Sequence, residues 1–169
     1  KKNNCTVDMW KTGHSHMKRR VRELNSISGF EKSGHFFIND PLGLGFDDGL
    51  MSAILMAKLL DEEKDSSLSE IKNSLPITYQ SPTMAPYCAD DEKYQVVDEM
   101  IDKIDSMFLN NESVIKQKIK NIITVNGVRF ELENGSWGLI RASSNKPSLV
   151  IVIESLKSYD EVKEIFNFI

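Results

Sequence analysis

The chain has 169 residues, 40% of them hydrophobic and 27% charged, with a formal net charge of -4 and a pI near 5.4. This composition excludes a disordered or fibrous chain, and the acidic balance excludes the global basic field that drives nucleic-acid binding. Any anion held here is held by a local cluster of donors. The length allows one domain or two small ones. Cys5 and Cys88 lie far apart and form no framework, so both read as reduced thiols of a cytoplasmic protein. No apolar run approaches the ~20 residues needed to span a bilayer. Residues 1–4 are polar, no apolar segment follows them and the first residue is not Met, which points to a piece of a longer chain and not to a signal peptide.

Residues 5–11 (CTVDMWK) read as a short strand, broken by Thr12, Gly13 and His14. Ser15 is expected to cap a helix running to about Leu24. Residues 26–30 and 35–38 read as two short extended segments around a Ser33-Gly34 turn. Residues 39–46 hold Pro41, Gly43 and Gly45 and read as a loop. Asp47 is expected to cap a helix to about Asp61, with Leu50, Ile54, Leu55 and Ala57 forming its apolar face. Ser67 and Glu70 make a capping-box pattern for a short helix that ends before Pro76. The strand count of this first unit is low for an α/β sheet.

Residues 75–86 (LPITYQSPTMAP) contain three prolines and no helical period, so 76–86 read as a linker or hinge. Asp90 or Asp91 is expected to cap a helix through Phe108, with Tyr94, Val97, Met100, Ile101 and Ile104 at helical spacing. Strands are expected over 119–125 and 128–133 around Asn126-Gly127, a tight-hairpin signal, and over 137–142 after Asn134-Gly135. Residues 148–154 (SLVIVIE) are nearly continuous in apolar character and read as a central strand. Ser158 or Asp160 opens a closing helix with Val162, Ile165 and Phe166 inward. The second unit thus reads as a strand, a helix, four antiparallel strands and a helix, an antiparallel sheet with helices on one face.

Three clusters carry chemistry. In Thr12-Gly13-His14-Ser15-His16-Met17-Lys18, a glycine between strand and helix lets backbone N–H groups face an anion, with His14 and Lys18 adding charge. The His14/His16 pair invites a zinc reading, but no cysteine or carboxylate pair accompanies it, and zinc is set aside. In Gly29-Phe30-Glu31-Lys32-Ser33-Gly34-His35, a carboxylate and a hydroxyl two residues apart suit a vicinal diol. In Arg141-Ala142-Ser143-Ser144-Asn145-Lys146-Pro147, a guanidinium, two hydroxyls, an amide and an ammonium fall between two apolar strands, the makings of a phosphate cradle. The plainer alternatives are a strand-to-helix turn, a polar hairpin loop and a solvated loop.

In this order TGHSHMK, FEKSGHFF, GFDDG and RASSNKP resemble the α-D-phosphohexomutases over nearly the whole chain, and GFDDG after HFF favours the phosphomannomutase/phosphoglucomutase branch. Phe30 stands where that family usually has Gly, Lys32 where Met or Gln is common, and Asn145 where many members have Thr, which leaves sugar preference open.

The resemblance implies four domains. Residues 1–75 would be the latter part of the third, an α/β domain with the sugar-binding loop. Residues 87–169 would be the fourth, an antiparallel sheet with helices on one face, similar to the TATA-box-binding protein. The phosphoserine loop and the aspartate-rich magnesium loop belong to the first and second domains, and neither pattern occurs here. Magnesium is therefore expected in the complete enzyme and none in this chain. The implied activity is interconversion of hexose 1-phosphate and 6-phosphate through a bisphosphate intermediate, with this portion inactive alone. His14 would be the catalytic residue, Glu31, Ser33, His35 and Lys18 would bind substrate, and Arg141, Ser143, Ser144, Asn145 and Lys146 would bind phosphate. The expected partners are a mannose or glucose phosphate and the two upstream domains, with no nucleic acid and no membrane. The alternatives are a phosphoglucosamine mutase portion or a non-catalytic binding module.

Overall fold

A computed structural model describes residues 5–169; residues 1–4, read above as a polar start, lie outside it. The chain divides after Pro76 into two compact units.

In the first unit, helix α1 (His14–Glu23) starts behind Gly13, whose φ of 121° leaves helical geometry and makes it the N-cap. The expected cap, Ser15, lies inside the first turn. Arg20 and Arg22 in the last turn complement the helix dipole. Strands β1 (Ser28–Phe30), β2 (Phe36–Ile38) and β3 (Phe46–Asp47) form an antiparallel sheet in the order β1-β2-β3. A Cβ on Gly29 would stand 2.6 Å from Val21 Cγ2, so glycine is what lets α1 lie against β1. Val21, Phe37 and Ile38 are the buried apolar residues of this unit among those described.

Residues 5–11 do not form the expected strand. A strand needs a ladder partner, and none lies alongside it among the described residues. The segment is tied to α1 instead: Asp8 accepts from Arg20 Nε at 2.8 Å, and the Arg20 guanidinium sits 4.0 Å over the Trp10 ring. Helix α2 (Gly49–Glu62) is capped by Asp48, which accepts from the Met51 amide at 3.0 Å, and not by Asp47, which belongs to β3. Its expected inward face is not buried, and Leu50 and Ile54 are exposed. Periodicity marks an apolar face but does not supply what covers it. Helix α3 (Leu68–Asn73) carries the expected capping box, with reciprocal bonds between Ser67 and Glu70.

The second unit is built on a six-stranded antiparallel sheet. Its strands are β4 (Tyr79–Gln80), β5 (Ser113–Val114), β6 (Gln117–Ile123), β7 (Val128–Leu132), β8 (Trp137–Ala142) and β9 (Leu149–Ser155), in the order β4-β9-β8-β7-β6-β5. Burial alternates cleanly along β7, as a sheet covered on one face requires. Val128, Phe130, Leu132, Ile140, Ile151 and Ile153 form one core with Val97 and Ile104 of α4 (Lys93–Leu109) and Val162 and Ile165 of α5 (Tyr159–Phe168). Burying each such side chain stabilises the fold by about 1.5–3 kcal/mol. The fold is mixed α/β, with an antiparallel sheet and helices on one face.

Several local expectations are corrected. From Tyr79 onward, the stretch read as a linker over 76–86 runs along the sheet edge. Tyr79 pairs with Ser155, and Met84 and Ile151 exchange backbone bonds of 3.0 and 2.9 Å. Edge positions tolerate proline, so the prolines hid a strand. Glu92 is the α4 N-cap residue, without a side-chain cap bond, while Asp90 instead meets Lys93 at 2.6 Å. Tyr94 and Phe166, expected inward, are 58% and 45% exposed. On α4 the buried stripe runs through Lys93, Val97 and Ile104 and leaves Tyr94 at its margin. Ser158 caps α5 by accepting from the Glu161 amide at 3.2 Å.

Candidate functional site

The first unit gathers a cavity of about 350 Å³ lined by Thr12, Gly13, His14, Lys18, Glu31, Ser33, His35 and Asp47. Gly13 and the start of α1 supply one wall. His14 and Lys18 stand one helical turn apart, at i and i+4, and so share a face. The turn between β1 and β2 supplies Glu31, Ser33 and His35, and β3 supplies Asp47. The structure thus brings together five residues that the sequence singled out in two separate clusters, 14–18 and 31–35. It adds Asp47, which the sequence reading spent on a helix cap.

Two contacts fix the polar groups of this cavity. The Gly13 amide donates to Glu31 Oε1 at 2.6 Å, which pins the carboxylate to the N-terminus of α1. A carboxylate has about four lone-pair positions, so Glu31 keeps acceptor capacity for a ligand. His35 Nδ1 lies 2.6 Å from Asp47 Oδ2, and Asp47 Oδ1 accepts from the Phe36 amide at 3.2 Å. The bond from His35 is the largest cause that holds the Asp47 carboxyl below its usual range; the Phe36 amide and the charge of Lys18 act in the same direction. An ionised carboxylate only accepts, so Nδ1 carries the ring proton, and Nε2 is the basic nitrogen when the ring is neutral.

These residues do not fit a metal. Among the described residues, no three His, Cys, Asp or Glu side chains cluster as a metal site. His14 and His16 are two positions apart on α1, about 200° around the helix axis, and face away from each other. The cavity thus shows no metal-ligand cluster among the described residues.

The five remaining candidates lie in the second unit, Arg141 near the end of β8 and the other four in the turn from β8 to β9. Arg141 pairs with Val150 across the ladder, and its Nη1 donates to the Ala142 carbonyl at 3.2 Å. The Ser143 amide donates to the Ser148 carbonyl at 3.0 Å and closes the loop. Ser143 is buried, and its hydroxyl donates to Asn145 Oδ1 at 3.1 Å. Ser144, Asn145 and Lys146 are exposed. Lys93 Nζ reaches the Lys146 carbonyl at 3.1 Å, a contact that the sequence reading missed because a lysine opening an amphipathic helix reads as solvated. Among the described residues, no helix is long and apolar enough to cross a membrane.

Comparison with known proteins gives a consistent picture. Residues 1–79 match the family model described as phosphoglucomutase/phosphomannomutase, alpha/beta/alpha domain III. Residues 87–169 match the one described as phosphoglucomutase/phosphomannomutase, C-terminal domain. The phosphomannomutase/phosphoglucomutase of Pseudomonas putida is 32% identical over 161 residues, which cover 94% of this chain and 32% of that protein. The phosphoglucomutase of Neisseria meningitidis is 31% identical over 148 residues, 87% of this chain and 29% of that protein. The crystal structure of a phosphoglucomutase/phosphomannomutase family protein from Burkholderia thailandensis superposes with a TM-score of 0.67 at 29% identity, covering 94% of this chain and 30% of that one. The chain spans about a third of the length of the curated relatives it matches.

Proposed function

The chain belongs to the phosphoglucomutase/phosphomannomutase family, and from that premise we propose that it is the C-terminal portion of a hexose-phosphate mutase. In this reading the first unit holds the sugar and the second holds the phosphate that is not being transferred. The complete protein interconverts hexose 1-phosphate and 6-phosphate. The phosphoserine and the magnesium implied by the family resemblance belong to the upstream portion.

What this chain's own residues do is positioning and charge stabilisation, which is most of what phosphoryl transfer asks of a protein. Glu31, held by the Gly13 amide, accepts from two sugar hydroxyls, and Ser33 donates or accepts beside it. Lys18 and the first amides of α1 beyond Gly13, whose own N–H is taken by Glu31, favour an anion at the same wall. His14 and the Nε2 of His35 are the groups able to hold or take a proton where a hydroxyl attacks or leaves. In the second unit, Arg141, Ser143, Ser144, Asn145 and Lys146 hold the phosphate, and the bond from Ser143 to Asn145 also shapes the loop. Residues 76–78, ahead of β4, are the part of the expected 76–86 hinge left to let the C-terminal unit close over substrate. The cytoplasm is the setting that two cysteines far apart in sequence, with no disulfide framework, favour.

The observation that carries the reading is the meeting of His14, Lys18, Glu31, Ser33 and His35 in one cavity. Its test is an amide-resolved NMR titration of the chain with glucose 1-phosphate, with glucose and with inorganic phosphate. Glucose 1-phosphate should move the amides of Gly13 and Ser33 together with those of 143–146. Inorganic phosphate should move mainly the latter. A chain whose amides ignore glucose 1-phosphate overturns the reading, and so does mutase turnover by the rigorously purified chain alone.

A further inference from the structure

We propose that Lys93 is a positioning residue for the 141–147 loop, holding the Lys146 carbonyl inward so that Ser144, Asn145 and Lys146 present their side chains to a phosphate. The inference rests on the reading of that loop as the phosphate site.

Lys93 is the first residue of α4, and it is only 4% exposed. Both facts make lysine a costly choice there. A buried ammonium is strongly unfavourable unless its donors are satisfied. A cation at a helix N-terminus also opposes the helix dipole. Packing alone would favour Met or Leu. What the ammonium gains is two acceptors: Asp90 Oδ1 at 2.6 Å and the Lys146 carbonyl at 3.1 Å. Asp90 is three residues away on the same segment and supplies the compensating charge. Lys146 is 53 residues away and supplies the loop.

The surrounding chain is arranged for this contact. The Leu149 amide donates to Pro86 and the Cys88 amide to Pro147, at 3.0 and 3.1 Å, so the approach to α4 runs along the far limb of the loop. The Lys146 carbonyl also accepts from the Ser148 amide at 2.8 Å, which turns it to the inner side of a tight bend. The Ser148 hydroxyl in that bend is buried without a hydrogen-bond partner and does not share the task. Lys93 thus ties down a loop whose Ser144, Asn145 and Lys146 side chains are exposed. It touches no substrate in this scheme and acts through Lys146.

The test uses the 169-residue chain, with inorganic phosphate and glucose 1-phosphate as probes and the amides of Ser144 and Asn145 as reporters. Met keeps the length of the lysine side chain, and Asp90, the charge left behind, is 70% exposed and stays solvated, so Lys93→Met is the first variant. It should bind both probes about tenfold more weakly, the scale of losing a charged hydrogen bond. Amide hydrogen exchange should quicken over 144–148 and stay unchanged at Ile140 and Ile151, a pattern that general destabilisation does not give. In the complete protein the same variant should raise KM for hexose phosphate and leave kcat nearly unchanged. Arg141→Lys, run in parallel, tests the loop itself. If the wild-type chain responds to neither probe, or Arg141→Lys binds as wild type does, the loop is no phosphate site and the positioning role falls with it. If those two behave as expected while Lys93→Met keeps wild-type affinity and exchange, the loop reading stands and Lys93 is simply a satisfied buried lysine. Should Lys93→Met fail to fold by circular dichroism, Asp90→Asn decides: it should weaken binding more mildly, and unchanged affinity overturns the proposal.

Discussion

His35 Nδ1 and Asp47 Oδ2 stand 2.6 Å apart, and the second oxygen of the same carboxylate is held by the Phe36 amide at 3.2 Å. Strand pairing makes this contact. Phe37 lies opposite Asp47 in the β2–β3 ladder, which brings the residue before β2 within reach of that carboxylate. The arrangement fixes both the ring tautomer and its orientation, the role a carboxylate plays behind a general base.

Asp47→Asn should therefore release the tautomer, because an amide can donate to Nδ1 as well as accept from it. Imidazole 15N shifts should report a protonated Nδ1 at neutral pH in the wild-type chain and a mixture or the opposite tautomer in the variant. Identical spectra would dissolve the pair. The pH dependence has a fixed sign. The folded Asp47 pKa lies below its usual 3.8, so the bond is complete above that value and is lost as pH falls through the lower, folded one. The Asp47 carboxyl 13C titration should have its midpoint below 3.8 in the wild-type chain.

Glu161 joins α5 to the turn before β8 and to the end of β9. Burial works to raise its carboxyl pKa, but bonds from Ser136, Ser155 and Asn134 outweigh burial and leave it below the usual range. Asn134 and Ser136 reach it at 2.8 and 2.6 Å, and Ser155 bonds the same oxygen as Ser136. Glu161→Ala leaves the O–H donors of buried Ser136 and Ser155 without their acceptor, while their oxygens still accept from backbone amides; at ~1–3 kcal/mol for each lost partner, the loss should be about 2–6 kcal/mol by urea denaturation. In the wild type the contribution is complete above pH 4.5 and declines as pH falls through the folded value. A loss under about 0.5 kcal/mol, the scale of an ordinary surface change, would make the network incidental.

Sequence and structure part company where a pattern names a feature but not its partner. Gly13 and the donor-rich 141–147 loop were legible because glycine and clustered donors carry their own chemistry. Asp47 was not, since Asp47-Asp48-Gly49 offers two adjacent carboxylates before one helix. Only the β2–β3 pairing decides that Asp48 caps while Asp47 turns to His35. The apolar alternation of 5–11 suggested a strand but could not say whether a ladder partner lay beside it. The prolines of 76–86 masked an edge strand whose pairing with β9 is far away in sequence.

Glu31 and Ser33 should set sugar preference. In the complete protein, Glu31→Ala should damage turnover of mannose 1-phosphate and glucose 1-phosphate unequally, and leave inhibition by inorganic phosphate nearly unchanged. The loss for the sugar phosphates should be about 1.5–3 kcal/mol, the range for a hydrogen bond to a charged group. Glu31→Gln should keep its bond from the Gly13 amide, now 2.6 Å long, through the side-chain carbonyl, and so fall between wild type and Ala. Equal losses for sugar phosphates and inorganic phosphate would remove Glu31 from the sugar site.

Arg141 carries the sharpest expectation. It sits at the end of β8, one residue before the ladder closes at the Ala142–Leu149 pair, so its stem is anchored by a sheet while its guanidinium reaches the loop. A guanidinium presents paired donors in one plane, which match two oxygens of a phosphate, and an ammonium of similar reach does not reproduce that plane. Contacts to a phosphate that stays bound from ground state to transition state affect binding more than the chemical step. Arg141→Lys in the complete protein should therefore raise KM for hexose phosphate roughly tenfold, the scale of one charge-assisted hydrogen bond, with a smaller fall in kcat. Ser143→Ala should act more mildly. It removes a neutral hydroxyl that is 3.1 Å from Asn145 Oδ1, and so loosens one member of the loop without changing its charge. Steady-state kinetics on both variants separate the two effects. An Arg141→Lys protein with intact circular dichroism and wild-type KM would mean that the loop is a solvated turn, and that this chain has kept the family's fold at that site without its phosphate grip.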